Sequence, residues 1–350
     1  MGVVELPKTS RERDSALVDS SGFFSGQLLS TVSKEGVAVS TITTNWDWRG
    51  ALDEIAPLLR SNAAAGETDR RLPETSMKAL LGAGFFRTWT PRALGGWELS
   101  AADGVRLFEA IAEVDSAAGW IVANCCDIAS ATQALADGGA AEIFSDSGAV
   151  LVGGLFPPGV ASPVDGGYSI SGRFNFVSGC HYGTWQVGAA IILDANGNPV
   201  LAPHGEPNLV VFFADAKAGT IHDNWNTLGM RGTGSHDMEM QQVFVPDRRT
   251  VMLGPIHPGS AFQGSLYRLH NYLAPPTVAA VALGIARSAL QSAIDLAGRK
   301  TPNFASSSIA ARPVAQDRLA RAKARLDAAR AYLLCTLDEV QGYFEDGGEF

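Results

Sequence analysis

From Trp46 onward the apolar positions change their period twice. Leu52, Ile55, Leu58 and Leu59 fall on one face at helical spacing. Pro73 suits the first position of a second helix and Gly84 the end of it. Ser100 can cap a third helix, whose apolar residues are Val105, Phe108, Ile111 and Ala112. Asp115 or Ser116 can cap a fourth, which runs through Gly119-Trp120-Ile121-Val122. Between about 150 and 266 the period becomes that of strands: 168–178 alternates, and 185–193, 209–213 and 238–245 are apolar or β-branched runs. Turn signals such as Asp165-Gly166-Gly167 and Ala195-Asn196-Gly197-Asn198 separate them. After Tyr267 helical spacing returns. The stretch 277–297 is apolar on nearly all sides, with Val278, Val281, Leu283, Ile285, Leu290 and Ile294, and predicts a buried central helix. Pro313 then opens a long helix with the stripe Leu319, Ala322, Leu326, Ala329, Leu333, Leu337, Val340 and Phe344. Arg318, Arg321, Lys323, Arg325 and Arg330 fall between those positions and predict a solvated face.

The order is helical, then β, then helical, which predicts an α+β chain. Its expected parts are a flexible N-terminal arm over 1–45, a helical domain over 46–149, a central β domain over 150–266 and a helical bundle over 267–350. Hydrophobic residues make up 46% and charged residues 18%, a globular composition. The formal net charge of −9 argues against nucleic acid and anionic membrane as partners. The uncharged stretch 269–286 contains His270, Asn271, Pro275 and Pro276, which argues against a bilayer span. Arg11, Glu12, Arg13 and Asp14 interrupt the first twenty residues, so no signal peptide is expected there and the cytoplasm is the expected compartment. The four cysteines, Cys125, Cys126, Cys180 and Cys335, form no C-x-x-C pair and read as buried or half-buried free thiols.

Motifs for the common chemistries are missing. There is no G-x-S-x-G elbow, no H-E-x-x-H and no Walker loop. His181, His204, His222, His236, His257 and His270 show no ligand spacing, so no metal is expected. The Gly-dense turn Gly229-Met230-Arg231-Gly232-Thr233-Gly234 lies between β segments and not at a strand-to-helix turn, so no site for a nicotinamide cofactor is visible.

Two segments are hard to explain as packing alone. One is Gly172-Arg173-Phe174-Asn175-Phe176-Val177-Ser178-Gly179-Cys180, followed by Trp185. The other runs Trp225-Asn226-Thr227-Leu228-Gly229-Met230-Arg231-Gly232-Thr233-Gly234-Ser235-His236 and leads into Val243-Phe244-Val245-Pro246-Asp247. With Asp115-Ser116-Ala117-Ala118-Gly119-Trp120, and in that order, they resemble the acyl-CoA dehydrogenase superfamily over about residues 50–345. Within it the chain looks most like the two-component flavin monooxygenase branch, which includes 4-hydroxyphenylacetate and dibenzothiophene monooxygenases.

The resemblance implies an N-terminal helical domain, a central β-barrel and a C-terminal four-helix bundle, with reduced flavin (FMN or FAD) between barrel and bundle. It implies a separate flavin reductase as partner, and oxygen transfer through a C4a-hydroperoxyflavin to an aromatic or heteroatom-containing small molecule. Phe176, Val177 and Ser178 then lie beside the flavin, with the Ser178 hydroxyl near N5. Trp120 and Asn124, one helical turn apart, line the flavin or substrate cavity, and Phe156 belongs to the first flavin-contacting β segment. Arg231, Thr233 and Ser235 form a turn suited to a phosphate or a carbonyl oxygen, or else a purely structural turn. Arg299, Phe304 and Gln316 match a crossing segment that reaches the cofactor of a neighbouring subunit, which implies a homotetramer. Phe86, Trp89, Trp120 and Tyr182 suggest a cavity friendly to aromatics.

Many members of the branch carry a His about two turns after the helix-four Trp, where this chain reads Cys125-Cys126-Asp127-Ile128. Asp127 can replace it as an acid or base, or be a surface residue. A second His of the branch lies in a final helical segment expected beyond Phe350. Two other readings stay open. An acyl-CoA dehydrogenase needs a carboxylate base, yet 260–294 contains no Asp or Glu. A shortened relative could bind a ligand without redox turnover.

Overall fold

The computed structural model describes residues 46–269 and 272–348. The arm proposed for 1–45 and His270 lie outside the described residues. Helix α1 (Trp48–Asp69) starts at Asp47, whose carboxylate accepts from Gly50 N–H at 3.0 Å. Helix α2 (Glu74–Gly82) begins one residue later than expected: Pro73 sits at its N-cap, with an extended ψ of 143°. Ser100 caps α3 (Ala101–Val114), accepting from Asp103 N–H at 3.1 Å. Of the two candidates for α4 (Ser116–Ser130), Asp115 is the cap: one oxygen accepts from the N–H groups of Ala117 and Ala118 at 2.9 and 3.1 Å. Burial pushes its carboxyl above the usual range while those donors oppose the shift. A short α5 (Asp137–Phe144) leads into the sheet.

Seven strands form one mixed sheet in the order β5-β6-β2-β1-β3-β4-β7. They are β1 (Leu151–Val164), β2 (Gly167–Val177), β3 (Trp185–Ile192), β4 (Leu209–Asp215), β5 (Thr220–His222), β6 (His236–Pro246) and β7 (Thr250–Met252). The pairing of β1 with β3 is parallel and the others are antiparallel. Among the described residues β5 and β7 are the edge strands of this sheet. Alternation alone does not reveal β1, because Gly153-Gly154 and Pro157-Pro158 break its pattern. Its register against β3 shifts between Gly154 and Gly159. A second shift, between Phe174 and Val177 of β2, puts Phe176 at φ 57°, a left-handed conformation rare for an aromatic residue.

Helices α6 (Ser265–Arg268), α7 (Ala274–Arg299) and α8 (Pro313–Glu345) follow. Helix α7 lies so close to α3 that a Cβ on Gly284 would come within 2.3 Å of the Glu109 carbonyl oxygen. The expectation of a helix buried on all sides needs correction. Pro276, Ala280, Val281 and Leu283 are buried, but Val278, Ile285 and Ile294 are 51%, 38% and 40% exposed. The physical reason is that α3, α4 and α8 pack along one side of the helix, which leaves these three residues partly open. Helix α7 is also long and apolar enough to cross a membrane by length and composition.

Arg330 departs from the solvated face assigned to it. Its Nε donates to both carboxylate oxygens of Glu109 at 2.8 Å, and Glu109 is buried. The pair ties α8 to α3, since a buried carboxylate needs its counter-charge. Cys125, Cys126 and Cys180 are buried free thiols, whereas Cys335 is exposed on α8.

Candidate functional site

The residues singled out from the sequence fall into three groups. The first is a chain of hydroxyls where α4, the end of β2 and the turn Arg231–Thr233 meet. Trp120 Nε1 donates to Ser178 Oγ at 2.9 Å. Ser178 Oγ lies 2.8 Å from Ser235 Oγ, which lies 2.7 Å from Thr233 Oγ1. Thr233 Oγ1 donates to the Met230 carbonyl at 2.8 Å. Each hydroxyl has a single hydrogen, so the last contact orients the rest. Ser235 donates to Thr233, and Ser178 donates to Ser235. Ser178 Oγ has then used its hydrogen and one lone pair, and toward anything else it can only accept. Backbone bonds hold the turn against the strand: Gly179 N–H donates to the Thr233 carbonyl at 2.8 Å. Ser178, Thr233, Ser235 and Val177 are buried. Phe176, two residues before Ser178 and at a positive φ, is 68% exposed, and Phe156, in the irregular stretch of β1, is 65% exposed. Phe176 packs T-shaped with Trp225, ring centroids 6.1 Å apart.

The second group lies further along α4, around a cavity of about 400 Å³ between that helix, the start of β1 and the segment after β7. Asn124, Asp127 and Gln133 line it, with Ile128, Leu155, Val187 and Val251. Burial pushes the Asp127 carboxyl up to about 6. Asp127 is therefore a half-buried cavity residue and not a surface one. The aromatic cavity suggested by the sequence also needs correction. Phe86 and Trp89 are buried in the helical core, the Tyr182 hydroxyl donates to the Leu72 carbonyl, and the cavity walls are chiefly aliphatic.

The third group stands apart. Arg231 donates to the Glu67 carbonyl, to Asn226 Oδ1 and to the Thr227 carbonyl, so its guanidinium ties the turn to α1. Arg299, Phe304 and Gln316 sit on or beside the connection from α7 to α8. Arg299 donates to the Asp295 carbonyl and Gln316 to the Ala310 carbonyl. Phe304 is fully exposed at φ 63°.

Sequence reasoning missed two features. Gln133 is wholly buried, and neither its Nε2 nor its Oε1 has a hydrogen-bond partner among the described residues. A lone amide in the Ala-rich run 131–136 was the only signal for it. His181 and His236, 55 positions apart in sequence, pack edge to face with centroids 5.1 Å apart. Burial, helped by the neighbouring His236, pushes His181 down to about 4. His236 Nδ1 accepts from the N–H groups of Asn224 and Trp225, so both rings are neutral near pH 7. Among the described residues no His, Cys, Asp and Glu cluster could hold a metal ion.

Comparison with known proteins sets this geometry in context. Residues 276–350 match the model of the acyl-CoA dehydrogenase C-terminal domain. The chain is 32% identical over 291 residues to the flavin-dependent monooxygenase oxygenase subunit HsaA of Rhodococcus jostii, covering 79% of this chain and 73% of that protein. It is 30% identical over 312 residues to the oxygenase component of an FADH(2)-dependent resorcinol hydroxylase of a Rhizobium species, covering 83% and 73%. Among solved structures, the 3-HSA hydroxylase of Rhodococcus superposes with a TM-score of 0.76 at 25% identity, over 87% of this chain and 79% of that one.

Proposed function

The chain belongs to the oxygenase subunits of flavin-dependent monooxygenases within the acyl-CoA dehydrogenase superfamily, and from that premise we propose that it oxygenates a small molecule with reduced flavin delivered by a separate reductase. The observation that carries this reading is the orientation of the hydroxyl chain. A reduced flavin ring carries a hydrogen on N5 that the oxidised ring lacks. Ser178 Oγ, left with only a lone pair to offer, suits the reduced ring. Phe156 and Phe176 supply apolar surface of the kind a flat cofactor covers. The donor set therefore fits the group, with Ser178, Trp120, Phe156, Phe176 and the main chain at Val177 as its holders. Bound reduced flavin would supply the electrons that activate dioxygen.

The chain's own residues do the rest. Trp120, Ser235 and Thr233 fix the Ser178 hydroxyl in one direction, so no reorganisation is needed when a donor arrives. The aliphatic cavity excludes water from a bound substrate. Asp127, with a carboxyl near 6, is poised to take up or return a substrate proton close to neutral pH. The exposed apolar face of α7 and the uncovered Phe304 support a homotetramer in which Arg299, Phe304 and Gln316 approach a neighbour's cofactor.

An anaerobic titration tests the central point. Reduced FMN or FAD is expected to bind at least ~10-fold more tightly than the oxidised form. Ser178→Ala should remove most of that preference while leaving oxidised-flavin binding unchanged. Equal affinity for both redox states in the unmodified protein would defeat the assignment of Ser178.

A further inference from the structure

Ser178 can only accept because Thr233 gives its hydrogen to the Met230 carbonyl, so the direction of the hydroxyl chain is decided at that carbonyl. Three donors converge on it. Thr233 supplies its hydroxyl at 2.8 Å and its N–H at 3.3 Å, and the indole Nε1 of Trp225 donates at 3.0 Å. The two donors of Thr233 belong to the same short turn and move with it. The indole reaches the carbonyl from five residues earlier. Met230 stands at φ 56°, a left-handed conformation that a residue with a side chain adopts reluctantly. The direction of its carbonyl therefore depends on a hold from outside the turn.

Trp225 is itself held by His236. The His236 ring is buried at the start of β6, where the residue pairs with Val177 of β2, next to Ser178. Its Nδ1 accepts from the N–H groups of Asn224 and Trp225, each at 3.1 Å. The Asn224 N–H has a second acceptor in the His222 carbonyl at 2.8 Å, and Asn224 Oδ1 accepts from Asp237 N–H at 3.0 Å. The main chain entering Trp225 is thus clamped from both sides of position 236. Asp223 Oδ1 lies 3.4 Å from the same Nδ1, but its carboxylate is paired with Arg70 at 2.7 Å. Two N–H groups aimed at Nδ1 leave no room for a proton on it, and burial lowers the proton affinity of the ring.

We propose that His236 is the positioning residue that sets the direction of the hydroxyl chain, acting through Trp225 and the Met230 carbonyl. The inference rests on the reading of Ser178 as the acceptor that faces reduced flavin, and it gives that acceptor its origin. Without the Nδ1 lone pair the Trp225 N–H is stranded, the indole loses its fixed position and the Met230 peptide is free to turn. Thr233 then donates to Ser235, Ser235 to Ser178, and the Ser178 hydrogen points outward. Each hydroxyl still has one hydrogen; only the direction is reversed. Trp225 also packs T-shaped with Phe176, so the same clamp supports the exposed ring two residues before Ser178.

Anaerobic affinities of the full chain for the reduced and oxidised forms of FMN and FAD test this in two variants. His236→Phe keeps a buried ring and removes the acceptor, and the preference for reduced flavin should fall to ~2-fold or less. His236→Asn places a carbonyl oxygen close to where Nδ1 stood and should keep the preference within ~3-fold of the wild type. A residue that only filled space would give the opposite order, because Phe replaces the imidazole volume better than Asn does. If His236→Phe does not fold, Trp225→Phe serves instead. It keeps a ring against Phe176, removes the indole N–H and should lose the preference to the same extent.

A second measurement needs no flavin. His236→Phe and Thr233→Val act on the Met230 carbonyl from opposite sides, so the urea midpoint of the double variant should fall by less than the sum of the single shifts. Trp225→Phe again stands in where needed. An unchanged flavin preference in the Phe variant, an equal loss in His236→Asn, or strictly additive midpoint shifts overturns the proposal. Equal binding of both redox states by the unmodified protein removes the role given to Ser178 instead. The midpoint cycle then decides the case of His236 alone: non-additive shifts uphold it and additive shifts end it.

Discussion

At the Trp120 end of α4 each polar side chain of the hydroxyl chain has a partner within the protein. Further along, at Asn124, Asp127 and Gln133, no side-chain partner exists among the described residues. The two groups begin one helical turn apart, about 6 Å along one scaffold. The contrast separates two ways of building a site. Saturated groups are preorganised: their geometry is set before a ligand arrives, and removing one member strands another. Unsaturated groups cost stability until something binds, so removing them should relieve the fold and weaken recognition.

The largest effect expected from this contrast is at Asp127. Its carboxyl rises from an ordinary 3.8 to about 6 on folding, because burial disfavours the charged form. The group therefore favours the folded state fully below about pH 4, and that contribution is lost as pH rises through 6. Asp127→Asn cannot ionise. Urea denaturation should find it more stable than the wild type by up to about 3 kcal/mol at pH 8, with the difference closing toward pH 4. Equal stability at both pH values would mean that the cavity is wet enough to solvate the carboxylate. Turnover should fall in the same variant if Asp127 handles a substrate proton.

Ser235→Ala should move stability the other way. It strands the Ser178 hydrogen in a buried site, which costs about 1–3 kcal/mol by chemical denaturation. It also frees Ser178 to donate outward, so the preference for reduced flavin should shrink. A variant as stable as the wild type would remove the claim that this end is saturated.

These two ends also differ in how well they can be read from the sequence. Caps such as Ser100 and Asp115 are legible because a short polar side chain before an apolar run acts on N–H groups two or three residues away. Alternation located β2, and apolar or β-branched runs located β3, β4 and β6, for the same local reason. The motif resemblance singled out Trp120, Ser178, Thr233 and Ser235 one by one, but not their order in a chain of hydrogen bonds. The Trp120–Ser178 and Ser178–Ser235 contacts span 58 and 57 positions and exist only once the sheet is formed. Gln133 was illegible, because a Gln among alanines usually marks a solvated helix face. Arg330 misled in the same way. Its spacing on α8 was right, but Glu109, 221 positions earlier, decides its role. On α7 the apolar character was plain, while which side is covered depends on what else packs there.

The smallest and most discriminating effect is expected at Trp120. Its indole N–H donates to Ser178, and the orientation of the hydroxyl chain does not depend on that donor. Trp120→Phe removes that donor and keeps an aromatic ring on a half-buried position. What is left behind is an unused lone pair on Ser178, not a stranded hydrogen, and under-satisfied acceptors are tolerated better than unpaired donors. The coupling between Trp120 and Ser178, from a double-mutant cycle of Trp120→Phe with Ser178→Ala, should be about 1 kcal/mol. It should be smaller than the coupling of Ser235→Ala with Ser178→Ala. The cycle cancels the volume lost in the ring, which a single variant would not. Should the Trp120 coupling prove the larger, the hydroxyls would run in the opposite direction, with Ser178 donating outward. The protein would then favour oxidised flavin, and the two ends of α4 would no longer differ in the way described.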